Sequence, residues 1–233
     1  SHLSVKGLRL GIPKEYFITG LDSEVEAALK KAIAELENNG AIVSEISLPF
    51  SKYGIAVYYV VTLSEVSSNL ARFDGIRYGL SKQESAENLM EVYTSSRGAG
   101  FGKEAKRRIM IGTYALESGY YDAYYKKAQK VRTLIIDDFK KAFNNVDALI
   151  TPTAPGVAFK IGSKASDPLS MYLEDTFAVP ASLAGLPALS VPCGFNRQGL
   201  PVGMQIIGPQ LGEEKILQAG AFYESITDWH TRE

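Results

Sequence analysis

The chain has 233 residues, 45% of them hydrophobic and 22% charged, which is typical of a folded globular protein with a substantial core. Its 25 Lys and Arg residues nearly balance its 26 Asp and Glu residues, which leaves a net charge of −1. A surface that binds phosphate backbones by itself usually has a strong basic excess, so the composition argues against an independent nucleic-acid-binding protein.

Cysteine and histidine are scarce. Cys193 is the only cysteine, so an intrachain disulfide is excluded and a cytoplasmic location is favoured. We expect Cys193 to be a small core residue, because His2 and His230 lie near the chain ends and are poor candidates for a catalytic base or a zinc site. Residues 1–4 are predicted to be an expression scar or linker. No apolar run is long enough to cross a membrane, so no membrane association is predicted.

The first fifty residues predict a βαβ unit. Residues 8–12 alternate between apolar and other residues, as in a strand. Ser23 and Glu26 then have the spacing of a capping box at the start of an amphipathic helix, and Gly40 is its expected end. A second strand follows over residues 41–48, so the two strands are expected to be parallel neighbours with a right-handed crossover.

The middle of the sequence is predicted to be helical. Helices are expected over residues 58–70, 103–116 and 120–143, where apolar side chains recur at three- and four-residue steps. Residues 97–102, which read RGAGFG, are interpreted as a flexible turn before one of these helices. This stretch is too irregular for a dinucleotide-binding fingerprint, and no strand leads into it.

Strand patterns return in the last third of the sequence. Residues 146–150, 188–191 and 202–207 are short and apolar, and a final helix is predicted over residues 213–226. No repeat, low-complexity tract or linker divides the sequence. The elements therefore predict an α/β fold, with a mixed β-sheet flanked by helices, that forms one domain over residues 5–233.

Two neighbouring segments carry a family resemblance. Residues 180–192 read PASLAGLPALSVP, and residues 199–208 read GLPVGMQIIG. Their Gly and Pro residues suit tight strand entries and a close approach of the backbone to a neighbouring layer. In this order and spacing, the two segments resemble the strand-turn-strand that closes the amidase-signature fold.

Further segments narrow the resemblance to the A subunits of tRNA-dependent amidotransferases. These segments are residues 72–79 (RFDGIRYG), 101–109 (FGKEAKRRI) and 120–129 (YYDAYYKKAQ). The resemblance extends from Val5 to Asp228, which is nearly the whole chain. It implies an amidase-signature fold, of which this chain is expected to form the C-terminal part.

The family carries its chemistry on a Lys and two Ser residues within a Gly/Ser-rich segment, and no such run occurs in this sequence. The serine pairs at residues 67–68 and 95–96 lack the glycine setting and are interpreted as helix or loop surface. No catalytic residue is therefore assigned to the chain, which we expect to be a truncated form that is inactive alone.

The resemblance does imply residues that bind glutamine. Carried over by position, Arg108 would bind the α-carboxylate, because a planar guanidinium can contact both carboxylate oxygens. Asp175 would accept hydrogen bonds from the α-ammonium group. Tyr59 matches a tyrosine that lines the same pocket.

Each of these residues also has an ordinary structural interpretation. Arg107 and Arg108 lie near Lys103 and Lys106, where an exposed basic helix face is common. Asp175 could cap a following helix. A helical tyrosine such as that at position 59 often packs in a core with its hydroxyl satisfied.

The resemblance implies a subunit that hydrolyses glutamine to release ammonia, which amidates glutamate esterified to tRNA(Gln) and in some members aspartate on tRNA(Asn). It also implies partner subunits of the B and C types, one of which performs an ATP- and magnesium-dependent step and makes most of the tRNA contacts. No cofactor or metal is assigned to this chain. A free-standing amidase that acts on small amides and a non-catalytic scaffold that docks partner subunits are alternative hypotheses. Binding of glutamine in preference to simple amides would favour an amidotransferase over the free-standing amidase. A Gly/Ser-rich segment upstream of Val5 would argue against the non-catalytic scaffold.

Overall fold

The computed structural model describes most of the chain, namely residues 3–17, 20–164 and 166–232. Ser1 and His2, which belong to the predicted expression scar, lie outside the described residues. The chain divides into two compact units. Residues 1–55 together with 131–233 form the first, which we call the sheet unit, and residues 56–130 form the second, which we call the helical unit. That residues 5–233 make one domain stays a prediction.

The sheet unit is built on a mixed β-sheet. Its strands within the described residues are Arg9–Pro13 (β1), Ile42–Ile46 (β2), Ala148–Pro152 (β3), Ala188–Phe195 (β4) and Pro201–Ile207 (β5). They lie in the order β2-β1-β3-β5-β4. β1 is parallel to both β2 and β3, whereas β5 is antiparallel to both β3 and β4. The mixed sheet and the parallel pair formed by the first two strands were both predicted, and both are confirmed.

The helices account for most of the remaining chain. In order they are Ser23–Asn38 (α1), Gly54–Leu70 (α2), Leu89–Gly100 (α3), Lys103–Leu116 (α4), Lys127–Phe143 (α5), Pro168–Leu173 (α6), Val179–Ala184 (α7) and Glu213–Ile226 (α8). α3 and α4 belong wholly to the helical unit, while α1, α6, α7 and α8 belong to the sheet unit. The residues of α2 and α5 are shared between the two units.

The start of α1 differs from the prediction. The residue that caps this helix is Asp22, whose carboxylate accepts the main-chain N–H of Glu24 at 2.7 Å, and the predicted capping box at Ser23 is wrong. An aspartate in this position satisfies one of the free N–H groups of the first helical turn, so Ser23 becomes the first helical residue. The helix ends as predicted, because Gly40 follows it with φ of 96°, in the left-handed region that favours glycine.

The two faces of the sheet have different neighbours. Residues along a strand point alternately to opposite faces. Ile150, Met204 and Ile206 are completely buried in a core that they form with α1 and α8. The residues that alternate with them, Thr151 and Gln205, therefore point to the opposite face, and both are buried as well. This face therefore carries a buried polar pair, which sequence periodicity did not reveal.

Two predicted segments differ from the observed helices, one of them a turn that was predicted wrongly. The predicted turn at residues 97–102 lies mostly within α3, which extends to Gly100. This helix begins after Asn88, which caps it by accepting the N–H of Glu91 at 3.0 Å. Near the end of α3, the Arg97 guanidinium donates to the carbonyl of Leu70 at 2.8 Å, and the N–H of Phe101 donates to the Arg97 carbonyl at 3.1 Å. The helix predicted over residues 120–143 is present but starts differently, since Asp122–Lys126 form a π-helical turn that leads directly into α5.

Candidate substrate-binding site

Arg108 lies on α4 and is held by an acidic side chain of the same helix. Its Nε donates to Oε1 of Glu104 at 2.9 Å, while Arg107 donates to the other carboxylate oxygen at 2.8 Å. The two arginines differ in exposure, since 29% of the Arg108 side chain is accessible against 48% of the Arg107 side chain. The basic-face interpretation therefore describes Arg107 better than Arg108.

A tyrosine also contacts the Arg108 guanidinium. Hydrogen bonds to Glu104 and, more weakly, to Tyr58 raise the pKa of Arg108 above its ordinary value, so the side chain stays charged. Tyr58 lies on α2, next to the predicted pocket residue Tyr59. The two rings meet edge to face, with centroids 5.2 Å apart. Both tyrosines are half-buried, and Tyr58 is the one of the two that faces Arg108.

Asp175 lies in the sheet unit, at the junction between α6 and α7, and is exposed. The capping interpretation of this residue is wrong, because the N-cap of α7 is Ala178 and no side chain caps that helix. The main-chain carbonyl of Asp175, not its carboxylate, accepts the N–H groups of Ala178 and Val179, at 3.1 and 3.0 Å. Its carboxylate is therefore not used to begin the helix.

The predicted residues are thus distributed over both units. Arg108 and Tyr59 lie on neighbouring helices of the helical unit, and Asp175 lies in the sheet unit. That the three residues form one pocket stays a prediction.

Sequence reasoning missed Glu104, Tyr58 and Gln205. Glu104 was signalled by its spacing, because it lies three and four residues before the two arginines, the separations at which helical side chains meet. Gln205 was included only as part of the family segment at residues 199–208 and was given no role of its own. Its own signal was a single amide within the apolar strand β5, since a buried polar side chain needs partners.

A buried polar network supports the segment that carries Asp175. Nε2 of Gln205 lies 2.8 Å from Oγ1 of Thr151 and 3.1 Å from the carbonyl oxygen of Phe177. The ring of Phe177 stacks on that of Tyr16, with centroids 5.1 Å apart. Both rings are buried, so Phe177 is fixed through its main chain and through its side chain.

Other groups that could carry chemistry have structural roles. Cys193 is 1% exposed, as predicted for a core residue, and burial raises the pKa of its thiol to about 12, which keeps it protonated at neutral pH. Ser96 was expected at the surface, but it is buried and its hydroxyl accepts the N–H of Lys82 at 2.9 Å. Within the described residues, no group of three or more His, Cys, Asp or Glu side chains is arranged to bind a metal ion. None of the described helices combines the length and the hydrophobicity that crossing a membrane requires.

Comparison with known proteins gives consistent matches. The model of the amidase family matches residues 1–217. Two curated relatives are each named as the A subunit of a glutamyl-tRNA(Gln) amidotransferase. The relative from Thermodesulfovibrio yellowstonii is 59% identical over 97% of this chain, and the relative from Geotalea daltonii is 58% identical over 98% of it. The chain spans 46% and 47% of these relatives, slightly less than half of their length.

A solved structure supports the same relationship. The crystal structure of the A subunit of the glutamyl-tRNA(Gln) amidotransferase from Thermotoga maritima is 39% identical and superposes with a TM-score of 0.69. The match covers 94% of this chain and 42% of that one. The mixed sheet, the Gly- and Pro-rich segments around β4 and β5 and the family match all agree, and this chain belongs to the amidase family.

Proposed function

We propose that this chain is the C-terminal part of the glutaminase subunit of a tRNA-dependent amidotransferase, and that it supplies the substrate side of the glutamine pocket. The observation that supports this proposal most strongly is the identity of 58–59% to two proteins named as such subunits, over nearly the whole chain. Because the chain spans less than half of those relatives, we expect the nucleophile in the part of the subunit that it does not span.

In this proposal, the substrate is held by its α-groups and its side-chain amide is left open to attack. Arg108 binds the α-carboxylate through N–H groups other than the Nε that Glu104 occupies. Asp175 accepts the α-ammonium group, and Tyr59 lines the pocket. This arrangement favours glutamine over simple amides, because an amide without α-groups would make neither the contact with Arg108 nor the contact with Asp175.

The released ammonia would amidate glutamate on tRNA(Gln), and we propose that B- and C-type subunits are the partners in this step. The near-neutral charge of the chain agrees with tRNA binding mainly through a partner, which would also hold ATP and magnesium. We further propose a cytoplasmic location, where the substrates of protein synthesis are found.

Arg108→Lys in the complete subunit tests the pocket. The substitution keeps the positive charge but replaces a planar fork of donors with a single ammonium group. We expect the KM for glutamine to rise about ten- to a hundredfold, measured by ammonia release at varied glutamine concentration.

Arg107→Lys is the matched control, since Arg107 precedes Arg108 on the same helix and pairs with the same carboxylate. We expect it to leave the KM within about twofold of the wild-type value, because it is an exposed surface pair. Equal KM values for the two variants would show that Arg108 belongs to the basic surface and would contradict its proposed role.

A further inference from the structure

Gln205 is a buried polar residue at a defined place in the sheet. It lies in β5, directly opposite Thr151 of β3 in the antiparallel register. Side chains of such cross-strand partners lie side by side on one face of the sheet. The Gln205 residue is 5% exposed and Thr151 is fully buried, so water has little access to the amide.

The chemistry of its neighbours fixes how the Gln205 amide is oriented. The carbonyl oxygen of Phe177, 3.1 Å away, can only accept a hydrogen bond, so the atom that faces it must be the amide nitrogen. The same nitrogen lies 2.8 Å from Oγ1 of Thr151, which accepts its second hydrogen. Both donors of the amide are therefore used, one within the sheet and one on the Phe177 main chain.

The Phe177 main chain belongs to the short segment that presents Asp175. The N–H of Asp175 donates to the carbonyl of Tyr172 at 3.2 Å, and its carbonyl accepts the N–H of Ala178 and of Val179. These bonds make residues 172–179 a continuous chain of tight turns. Phe177 lies within this stretch, two residues after Asp175, and its carbonyl oxygen accepts the hydrogen bond from Gln205 of β5.

We propose that Gln205 is a positioning residue that fixes the Asp175 carboxylate where the α-ammonium group of glutamine binds. The inference rests on the proposed function, since it takes Asp175 as the ammonium partner. The Gln205 amide acts on Asp175 through the Phe177 carbonyl. The sheet supplies a rigid reference, and the amide transmits its position to an otherwise exposed turn.

Gln205→Met in the complete subunit tests this role, because methionine has a similar length and no hydrogen-bond donor. We expect the KM for glutamine to rise about tenfold, as for a binding group displaced by a fraction of an ångström to about 1 Å. The KM for 4-carbamoylbutanoate, which is glutamine without its α-amino group, should stay within about twofold of the wild-type value. A purely structural residue would alter both constants in the same proportion.

Thr151→Val is the matched control. It removes the other hydrogen bond of the Gln205 amide, keeps the side-chain shape and leaves the Phe177 contact in place. We expect it to lower the melting temperature about as much as Gln205→Met while the KM for glutamine stays unchanged. If Thr151→Val raises this KM as much as Gln205→Met does, the Phe177 contact has no special role and the inference is overturned.

Asp175→Asn separates the inference from the proposed function. If Asp175→Asn raises the glutamine KM and Gln205→Met adds no further increase to it, the two residues act on the same contact, as we propose. If the two effects multiply, Gln205 does not act through Asp175 and only the inference fails. If Asp175→Asn leaves the glutamine KM unchanged, the proposed ammonium site fails and the role of Gln205 fails with it.

Discussion

At the scale of single residues, the Asp147 carboxylate connects three elements of the sheet unit. Its oxygens accept hydrogen bonds from Nε and Nη2 of Arg9 at 3.0 and 3.1 Å, and Lys215 donates to it at 3.1 Å. Arg9 begins β1, Lys215 lies on α8 and Asp147 immediately precedes β3. Only 17% of the Asp147 side chain is exposed, so its carboxylate is partly shielded from solvent.

Asp147→Asn should destabilise the chain by about 1–2 kcal/mol, because the amide loses both ion pairs and cannot accept all of these donors. The free energy of unfolding in urea measures the change. Glu26→Gln is the control, since Glu26 pairs with Lys30 on the exposed face of α1, and we expect it to cost about 0.5 kcal/mol or less. A cost for Asp147→Asn as small as that of the control would contradict the connecting role.

The same contacts predict a dependence on pH. Hydrogen bonds from Arg9, and then the charge of Lys215, lower the pKa of Asp147 well below its ordinary value of 3.8. Because folding lowers this pKa, the ionised carboxylate contributes its full stabilisation at pH values above the ordinary pKa. This contribution is lost as the pH falls below about 4 toward the folded-state pKa. Acid should therefore destabilise the wild-type chain more steeply in this range than Asp147→Asn.

The sequence predicted candidate site residues better than it predicted the side chains that contact them. Arg108, Tyr59 and Asp175 were chosen by position in a family pattern, which states what a residue binds but not which neighbours hold it. Tyr58 contacts Arg108 because two helices meet there, and Gln205 reaches Phe177 across 28 residues of sequence. Such contacts depend on tertiary packing, which local periodicity does not encode.

At the scale of elements, α2 and α4 meet at a glycine in the helical unit. Gly112 is buried in α4, and a Cβ atom at this position would lie 1.9 Å from the carbonyl oxygen of Leu63 on α2. The atom that it would meet belongs to the backbone, so no side-chain movement could relieve the overlap. By propensity alone Gly112 weakens its helix, but its absent side chain is what lets the two helices approach.

Gly112→Ala should destabilise the helical unit by about 1–3 kcal/mol, because the two helices must separate. Gly98→Ala is the control, since Gly98 lies in α3 and a Cβ atom added there would have no neighbouring atom within 4 Å. Alanine at this position should stabilise by up to about 1 kcal/mol. Thermal unfolding followed by circular dichroism measures both. A neutral Gly112→Ala variant would contradict the close approach.

The helices were predicted where their polar and apolar faces are distinct. α1, α4 and α8 have the expected bounds to within a residue or two. α3 was missed because its first residues, Leu89 and Met90, are exposed and its last residues are rich in glycine. Its start is set by the Asn88 side-chain cap, and Arg97 near its end bonds the distant Leu70 carbonyl; hydrophobic periodicity reports neither contact.

At the scale of the whole molecule, strand patterns predicted the kind of sheet but not the order of its strands. A parallel pair followed from the βαβ spacing, whereas the insertion of β5 between β3 and β4 depends on long-range pairing. The division into two compact units was likewise not predicted, because no change in composition marks residues 55 or 131. Both features arise from packing between segments that are distant in sequence.

The measurement that tests the proposed function most directly is the ratio of kcat/KM for glutamine to that for propionamide in the complete subunit. We expect glutamine to be preferred by about a hundredfold or more, because only glutamine offers α-groups to Arg108 and Asp175. The isolated chain should release no ammonia from either substrate, because the Gly/Ser-rich run that carries the family's nucleophile is not in its sequence. Equal kcat/KM values for the two amides would contradict the proposed glutamine pocket and would favour an amidase that acts on simple amides.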